Sequence, residues 1–261
     1  MDDKAKIPIG EPGTPEAATR HMRKAITTKK VTLESSDHNY HSVNMTSSVN
    51  LICDIPDSAT GSFYRGQVFD GIKDSVFEGS DPMRHIVELL SVLRANSLTS
   101  IHMVMFSDGG ADHNLTFSFV QCVLLALFRI LDLDALNVGR CAPCQSYINP
   151  AGRVMSILNI GLQGLALERD GAGAFEKEIS SCQSMKSLRA KDELHHELRN
   201  AYLSSVESCR RLFEYCFSQL RLKGKEFKIF QPKNETDEVL KPSFKLTRRS
   251  KILVFLTREL R

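Results

Sequence analysis

The sequence carries almost no excess charge of either sign: 34 lysines and arginines stand against 31 aspartates and glutamates, a formal net charge of +3 over 261 residues. Bulk electrostatics therefore steers the chain only weakly toward a polyanion, and charge alone does not argue for a nucleic-acid partner. Cysteine is sparse and odd in number, seven residues without an evenly spaced framework, which fits reduced thiols inside a cell better than the disulfides of a secreted protein. No basic-then-apolar segment opens the chain, because Met1 is followed by Asp2, Asp3 and Lys4, so a signal peptide is not expected. Long hydrophobic runs are missing as well. The most apolar stretch, Phe117 to Leu133, is broken by Gln121, Arg129 and Asp132 and reads as a buried helix rather than a membrane span. The absence of internal repeats and low-complexity tracts removes weight from a solenoid or a disordered tail.

What remains is the balance of an ordinary globular chain, 42% hydrophobic and 25% charged, long enough for one principal core with appendages. Residues 2 to 48 are punctuated by Pro8, Gly10, Pro12, Gly13 and Pro15 and read as loop with short strands. Two β-rich runs, Val49 to Ile55 and Ser62 to Ile72, flank Pro56, Asp57, Ser58 and Gly61 and predict an antiparallel pair. Asp81 before Pro82 is an N-cap with proline at the first helical position, and Ile86, Leu89, Leu90 and Leu93 keep helical spacing to about residue 96. Ile101 to Phe106 is nearly all apolar, the pattern of a strand buried on both faces, and it ends at Ser107, Asp108, Gly109 and Gly110. A helix over about 115–131, a strand near Leu136 to Cys141 and a helix opening at Pro150 follow. Beyond about residue 170 the texture changes, and one long helix is expected from Asp192 to Leu222, with Leu194, Leu198, Tyr202, Val206, Leu212 and Phe213 on or near one face. The strongest basic cluster, Lys245, Arg248, Arg249 and Lys251, lies in a tail whose structure the pattern does not assign. The expected organisation is an α/β core over residues 1–170 and a helical, basic region over 171–261.

Metal-dependent phosphoryl transfer needs carboxylates that converge so that two divalent ions about 3.5–4 Å apart activate the attacking oxygen and stabilise the leaving one. In open α/β sheets such sites form at the carboxyl ends of strands, and magnesium takes one or two carboxylates while keeping waters for the phosphate. Asp108 stands at such a strand end. By itself it also reads as a turn aspartate before two glycines.

The order of motifs around it is more specific. The run Met103, Val104, Met105, Phe106, Ser107, Asp108, Gly109, Gly110, Ala111, Asp112, His113, Asn114, then Gln145 to Pro150 leading into Arg153, Met155, Ser156 and Leu158, resembles the second and third acid blocks of DDE transposases. The opening, Asp2, Asp3, Lys4 through Gly10, is similar to their first acid block, and the likeness spans most of residues 2 to 167. The resemblance implies an RNase H-like mixed sheet flanked by helices, with the first, central strand truncated ahead of Asp2. It makes Asp2 the first metal ligand, Asp3 the lesser alternative, and Asp108 the second, with Mg²⁺ or Mn²⁺ as the cofactor. The third acid falls on Gly152, three residues after Asn149, and 152 − 108 = 44 residues suits a strand-end acid followed by a helix-borne one. Glycine offers no ligand atom, and Glu168 lies 16 residues further on, roughly 24 Å along an ideal helix. Asp112, His113, Asn149 and Arg153 take supporting or substrate-facing places in this scheme.

The function implied is therefore that of a transposase-derived protein whose ancestor cleaved DNA and transferred strands, and whose own centre is degenerate. Its implied partners are DNA at transposon ends and a further copy of the chain, with no membrane, in the nucleus or cytoplasm. Two alternatives stand beside it: an active transposase or nuclease using another third acid, and a non-enzymatic binder of DNA or protein. Three further features have blander readings. Cys141 and Cys144 form a Cys-x-x-Cys without a second pair. Asp37, His38, Asn39, Tyr40 and His41 read equally as a metal cluster or a solvated loop, and His195 and His196 read as exposed.

Overall fold

The computed structural model describes residues 1–4, 6–18, 43–142, 145–182 and 184–232. In chain order its strands are β1 (Asp2–Asp3), β2 (Ile7–Pro8), β3 (Glu16–Ala17), β4 (Asn44–Cys53), β5 (Gly66–Asp74), β6 (His102–Ser107), β7 (Ala135–Arg140), β8 (Ala166–Leu167), β9 (Arg221–Leu222), β10 (Lys225–Glu226) and β11 (Lys228–Phe230). Its helices are α1 (Pro82–Ala95), α2 (Ser118–Ile130), α3 (Pro150–Gly161), α4 (Glu176–Ser180), α5 (Met185–Asp192) and α6 (Glu197–Ser218). The chain is thus mixed α/β. Its described residues divide into two compact units, one of Met1–Asp2, Ser80–Gly152 and Pro232, the other of Asp3–Gly79 and Arg153–Gln231. This partition cuts across the expected regions 1–170 and 171–261. The Asp37–His41 cluster, Cys144 and the basic cluster from Lys245 to Lys251 lie outside the described residues.

The second unit is built on the expected hairpin. β4 and β5 pair antiparallel from Met45↔Asp74 to Cys53↔Gly66, and Pro56, Asp57, Ser58 and Gly61 all fall in the connection. β2 joins β4 antiparallel and β11 joins β5 parallel, giving a mixed five-stranded sheet in the order β1-β4-β5-β11, with Asp3 as this unit's share of β1. Gly71 on β5 is required by close approach: a Cβ there would meet the Phe230 ring of β11 at 2.5 Å. Burial of both faces of β5 traps charge, and Lys73, fully buried, pairs with Asp3 at 3.0 Å. Asp74 accepts from the amides of Val76 (2.7 Å) and Phe77 (2.9 Å) and so shapes the turn that ends the strand.

α6 covers this sheet through Leu198, Tyr202, Val206, Cys209, Phe213 and Phe217, all buried at spacings of three or four residues. Each apolar side chain so buried contributes roughly 1.5–3 kcal/mol. The single helix expected from 192 to 222 forms as α6 over 197–218, and Leu194, expected on or near its buried face, lies in the 193–196 segment that separates α5 from α6 and is 78% exposed. Leu188 of α5 and Leu198 of α6 are both fully buried, and Arg199 donates across the segment between the two helices to the buried Asp192 at 2.7 and 3.1 Å. His195 and His196 lie in this break and are exposed, as expected.

The first unit is a β-α-β arrangement with α1 beside α2. β6 and β7 run parallel from His102↔Ala135 to Ser107↔Arg140, and α2 is their crossover. The expectation that β6 is buried on both faces does not hold: Met105 and Ser107 are buried, but Val104 is 79% exposed and Phe106 40%. Among the described residues this strand pairs with β7 alone, and toward its end buried and exposed residues alternate. Among the described residues the cysteines are free thiols, and no helix is long and apolar enough to cross a membrane.

Candidate functional site

Three short segments of the first unit carry the polar residues. The first is the opening turn of α1. Asp81 has extended backbone and accepts from the amides of Met83 (2.9 Å) and Arg84 (3.0 Å), with Pro82 at the first helical position. That cap fixes the turn on which His85 sits, 3% exposed.

The second segment follows β6. Asp108 accepts from the Gly110 amide at 3.0 Å, Gly109 takes φ +89°, and residues Ala111–His113 form a 3-10 turn. A positive φ suits glycine and strains other residues, so the Asp-Gly pair defines this reversal. Asn114 then anchors the loop, its Oδ1 accepting from Thr116 and, at 3.0 Å, from Arg140 on β7. The result is a string of acids and imidazoles. His113 Nδ1 lies 3.4 Å from Asp108 Oδ1 and 3.5 Å from Asp112 Oδ1, while Asp112 Oδ2 is 2.7 Å from His85 Nε2. The two imidazole rings are 4.5 Å apart. The His113 ring beside it, with help from the Gly110 amide, holds the Asp108 carboxyl below the usual carboxylate range. The hydrogen bond with His85 holds Asp112 still further below it. Both acids are therefore anionic at neutral pH.

The third segment is the start of α3. Asn149, 1% exposed, caps the helix by accepting from the Ala151 amide at 3.1 Å, and its Nδ2 donates to Asp2 Oδ2 at 3.3 Å. The Met1 ammonium donates to the Phe106 carbonyl at 2.9 Å, which seats Asp2 beside the end of β6. The Cys141 amide donates to the Ser107 carbonyl at 3.0 Å, next to Asp108. Burial raises the Cys141 thiol pKa, and the negative charges of Asp108 and Asp2 raise it further. Asp2, Asp108 and the helix start that carries Gly152 thus gather in one region. Gly152 itself is half-buried in the first turn of α3.

Asp3 and Arg153 belong to the other unit, where Asp3 pairs with Lys73 and the exposed Arg153 lies 5.8 Å from the centre of the Tyr64 ring. Glu168 is also in that unit and accepts from the Gly13 amide at 2.8 Å.

The residue that sequence reasoning missed is His85. Its signal was available: it lies four before Leu89 on the apolar stripe of α1, where a polar side chain requires a partner. Beside His85, Asp112 and His113 opens a cavity of about 20 Å³, walled by Met105, Val120 and Val123. That is room for one water-sized group. Comparison of the chain with family models, with curated proteins and with solved structures finds no match.

Proposed function

We propose that this protein is transposase-derived, with an RNase H-like core descended from metal-dependent enzymes that cleave DNA and transfer strands, and that its catalytic centre is degenerate. The observation that carries the reading is the gathering of Asp2, Asp108 and the start of α3, with the Asn149 amide on Asp2 and the fields of both acids on Cys141. The chain order of antiparallel hairpin, α1, β6, α2, β7 and α3, with β6 parallel to β7, accords with such a core. Asp2 and Asp108 supply the hard oxygen donors that Mg²⁺ or Mn²⁺ takes, and the bound ion would polarise a DNA phosphate. Position 152, where a third carboxylate belongs in this scheme, is glycine. With two acids the site binds magnesium weakly and holds a second ion poorly.

Two measurements test the reading. Assays of DNA cleavage and strand transfer with Mg²⁺ and Mn²⁺ are expected to give no turnover above that of Asp108→Ala. Robust turnover abolished by that substitution would show that another residue provides the third carboxylate. Calorimetric titration is expected to detect weak magnesium binding that Asp108→Ala removes. Binding unchanged by the substitution counts against the carboxylate pair.

A further inference from the structure

We propose that His85, Asp112 and His113 form a binding site for a borderline-soft divalent ion of the zinc type, distinct from the Asp2 and Asp108 pair. Each residue offers a ligand atom, and the three atoms lie within 4.8 Å of one another. Around a zinc ion with bonds of about 2.0–2.1 Å, tetrahedral ligand atoms are about 3.4 Å apart, so small side-chain rotations close the set.

The ligands come from two elements already held in place, the capped first turn of α1 and the 3-10 turn after Asp108. Such rigidity favours binding because little ordering remains to be done when the ion arrives.

A second observation is independent of the cluster's proximity. His113 is 8% exposed, and its Nε2 has no hydrogen-bond partner among the described residues. Buried polar groups are ordinarily satisfied, and an unsatisfied one calls for an explanation. The cavity of about 20 Å³ that His85, Asp112 and His113 all line is large enough for one water or one ion. An ion there would take up the imidazole nitrogen that is otherwise unsatisfied.

The donor set identifies the class. Two imidazoles and one carboxylate suit zinc and its first-row neighbours, whereas magnesium prefers oxygen and retains several waters. Three protein ligands leave a fourth position open to water. Because His113 Nδ1 also lies 3.4 Å from Asp108, an ion at this site would tie the Asp108 loop to α1. The proposal does not rest on the transposase reading, since none of the three residues is one of its acids.

The test is titration of the metal-free full-length chain with Zn²⁺, followed by calorimetry, and with Co²⁺, followed by visible absorption. One equivalent is expected to bind, with d–d bands of a four- or five-coordinate site and no thiolate charge-transfer band. His85→Gln, Asp112→Asn and His113→Gln should each weaken binding at least tenfold, while Cys141→Ser retains it. A hundredfold excess of Mg²⁺ should not displace the ion. Absence of the cobalt bands from the unaltered chain overturns the proposal without reference to any variant. So does zinc binding that survives the histidine substitutions but is lost with Cys141→Ser, because the ligands would then be thiols. If all three substitutions abolish the native circular dichroism, the unaltered chain still decides through its cobalt spectrum.

Discussion

Arg169 has the largest side chain among the fully buried residues that the structure describes, and its environment explains how a guanidinium is tolerated there. It donates to both oxygens of Glu176, to Glu11, to the Asp170 carbonyl and to Ser180, and Glu176 in turn accepts from the Ala172 amide at 2.7 Å. Glu11 and Glu176 are themselves 39% and 33% exposed, so water can reach both acids once the guanidinium is gone and the cost is less than that of breaking a fully buried pair. Arg169→Met is therefore expected to lower the free energy of unfolding by roughly 1–2 kcal/mol in urea titrations, from the lost hydrogen bonds. The hydrogen bonds from Arg169, with the Ala172 amide and Ser180, pull Glu176 down from 4.5 to about 2. Because the folded value is the lower one, this stabilisation is complete above about pH 4.5 and is lost as the pH falls toward about 2. In Arg169→Met that part of the acid sensitivity should shrink, and an unchanged slope over this window would mean that other carboxylates set it. None of this was legible beforehand. Glu11 and Arg169 are 158 residues apart, and nothing local marks their encounter. His85 is similar: its stripe position was readable, but its partner Asp112 is 27 residues away.

At the level of elements, legibility follows whether the determinant is local. The Asp81-Pro82 start of α1, the Asn149-Pro150 start of α3 and the turn residues between β4 and β5 all act within a few positions, and each appears where expected. The burial of β6 and the break between α5 and α6 depend on which neighbours pack beside them, and the apolar pattern by itself does not encode that. The cap of α1 is directly testable. Asp81→Ala removes an acceptor for two otherwise unpaired amides, at a cost of about 1 kcal/mol, or about 2–4 °C in melting temperature for a chain of this size. Asp81→Asn keeps an oxygen acceptor and should recover most of the loss. Equal losses in the two variants would place the effect in charge at the helix terminus rather than in the cap.

For the molecule as a whole, stability is the most general readout of whether the chain has a residual metal centre, because an ion that binds only the folded state raises its stability by RT ln(1 + [L]/Kd). Gly152 is in the first turn of α3, and both Gly152→Glu and Gly152→Gln replace glycine by a better helix former of similar length. Their shared gain, up to about 1 kcal/mol, reports helix propensity alone. Only glutamate adds a carboxylate where the transposase scheme requires one. With excess Mg²⁺, a tenfold tighter site is worth about 1.4 kcal/mol, so Gly152→Glu should show a magnesium-dependent rise in melting temperature a few degrees beyond that of Gly152→Gln. Adding Asp108→Asn to the glutamate variant should abolish the rise, since the new carboxylate would then lack a partner across the ion. Glu and Gln variants that respond equally to magnesium would mean that position 152 does not face the ion, and the assignment of the third acid to this helix would fail even though Asp2 and Asp108 lie in one region.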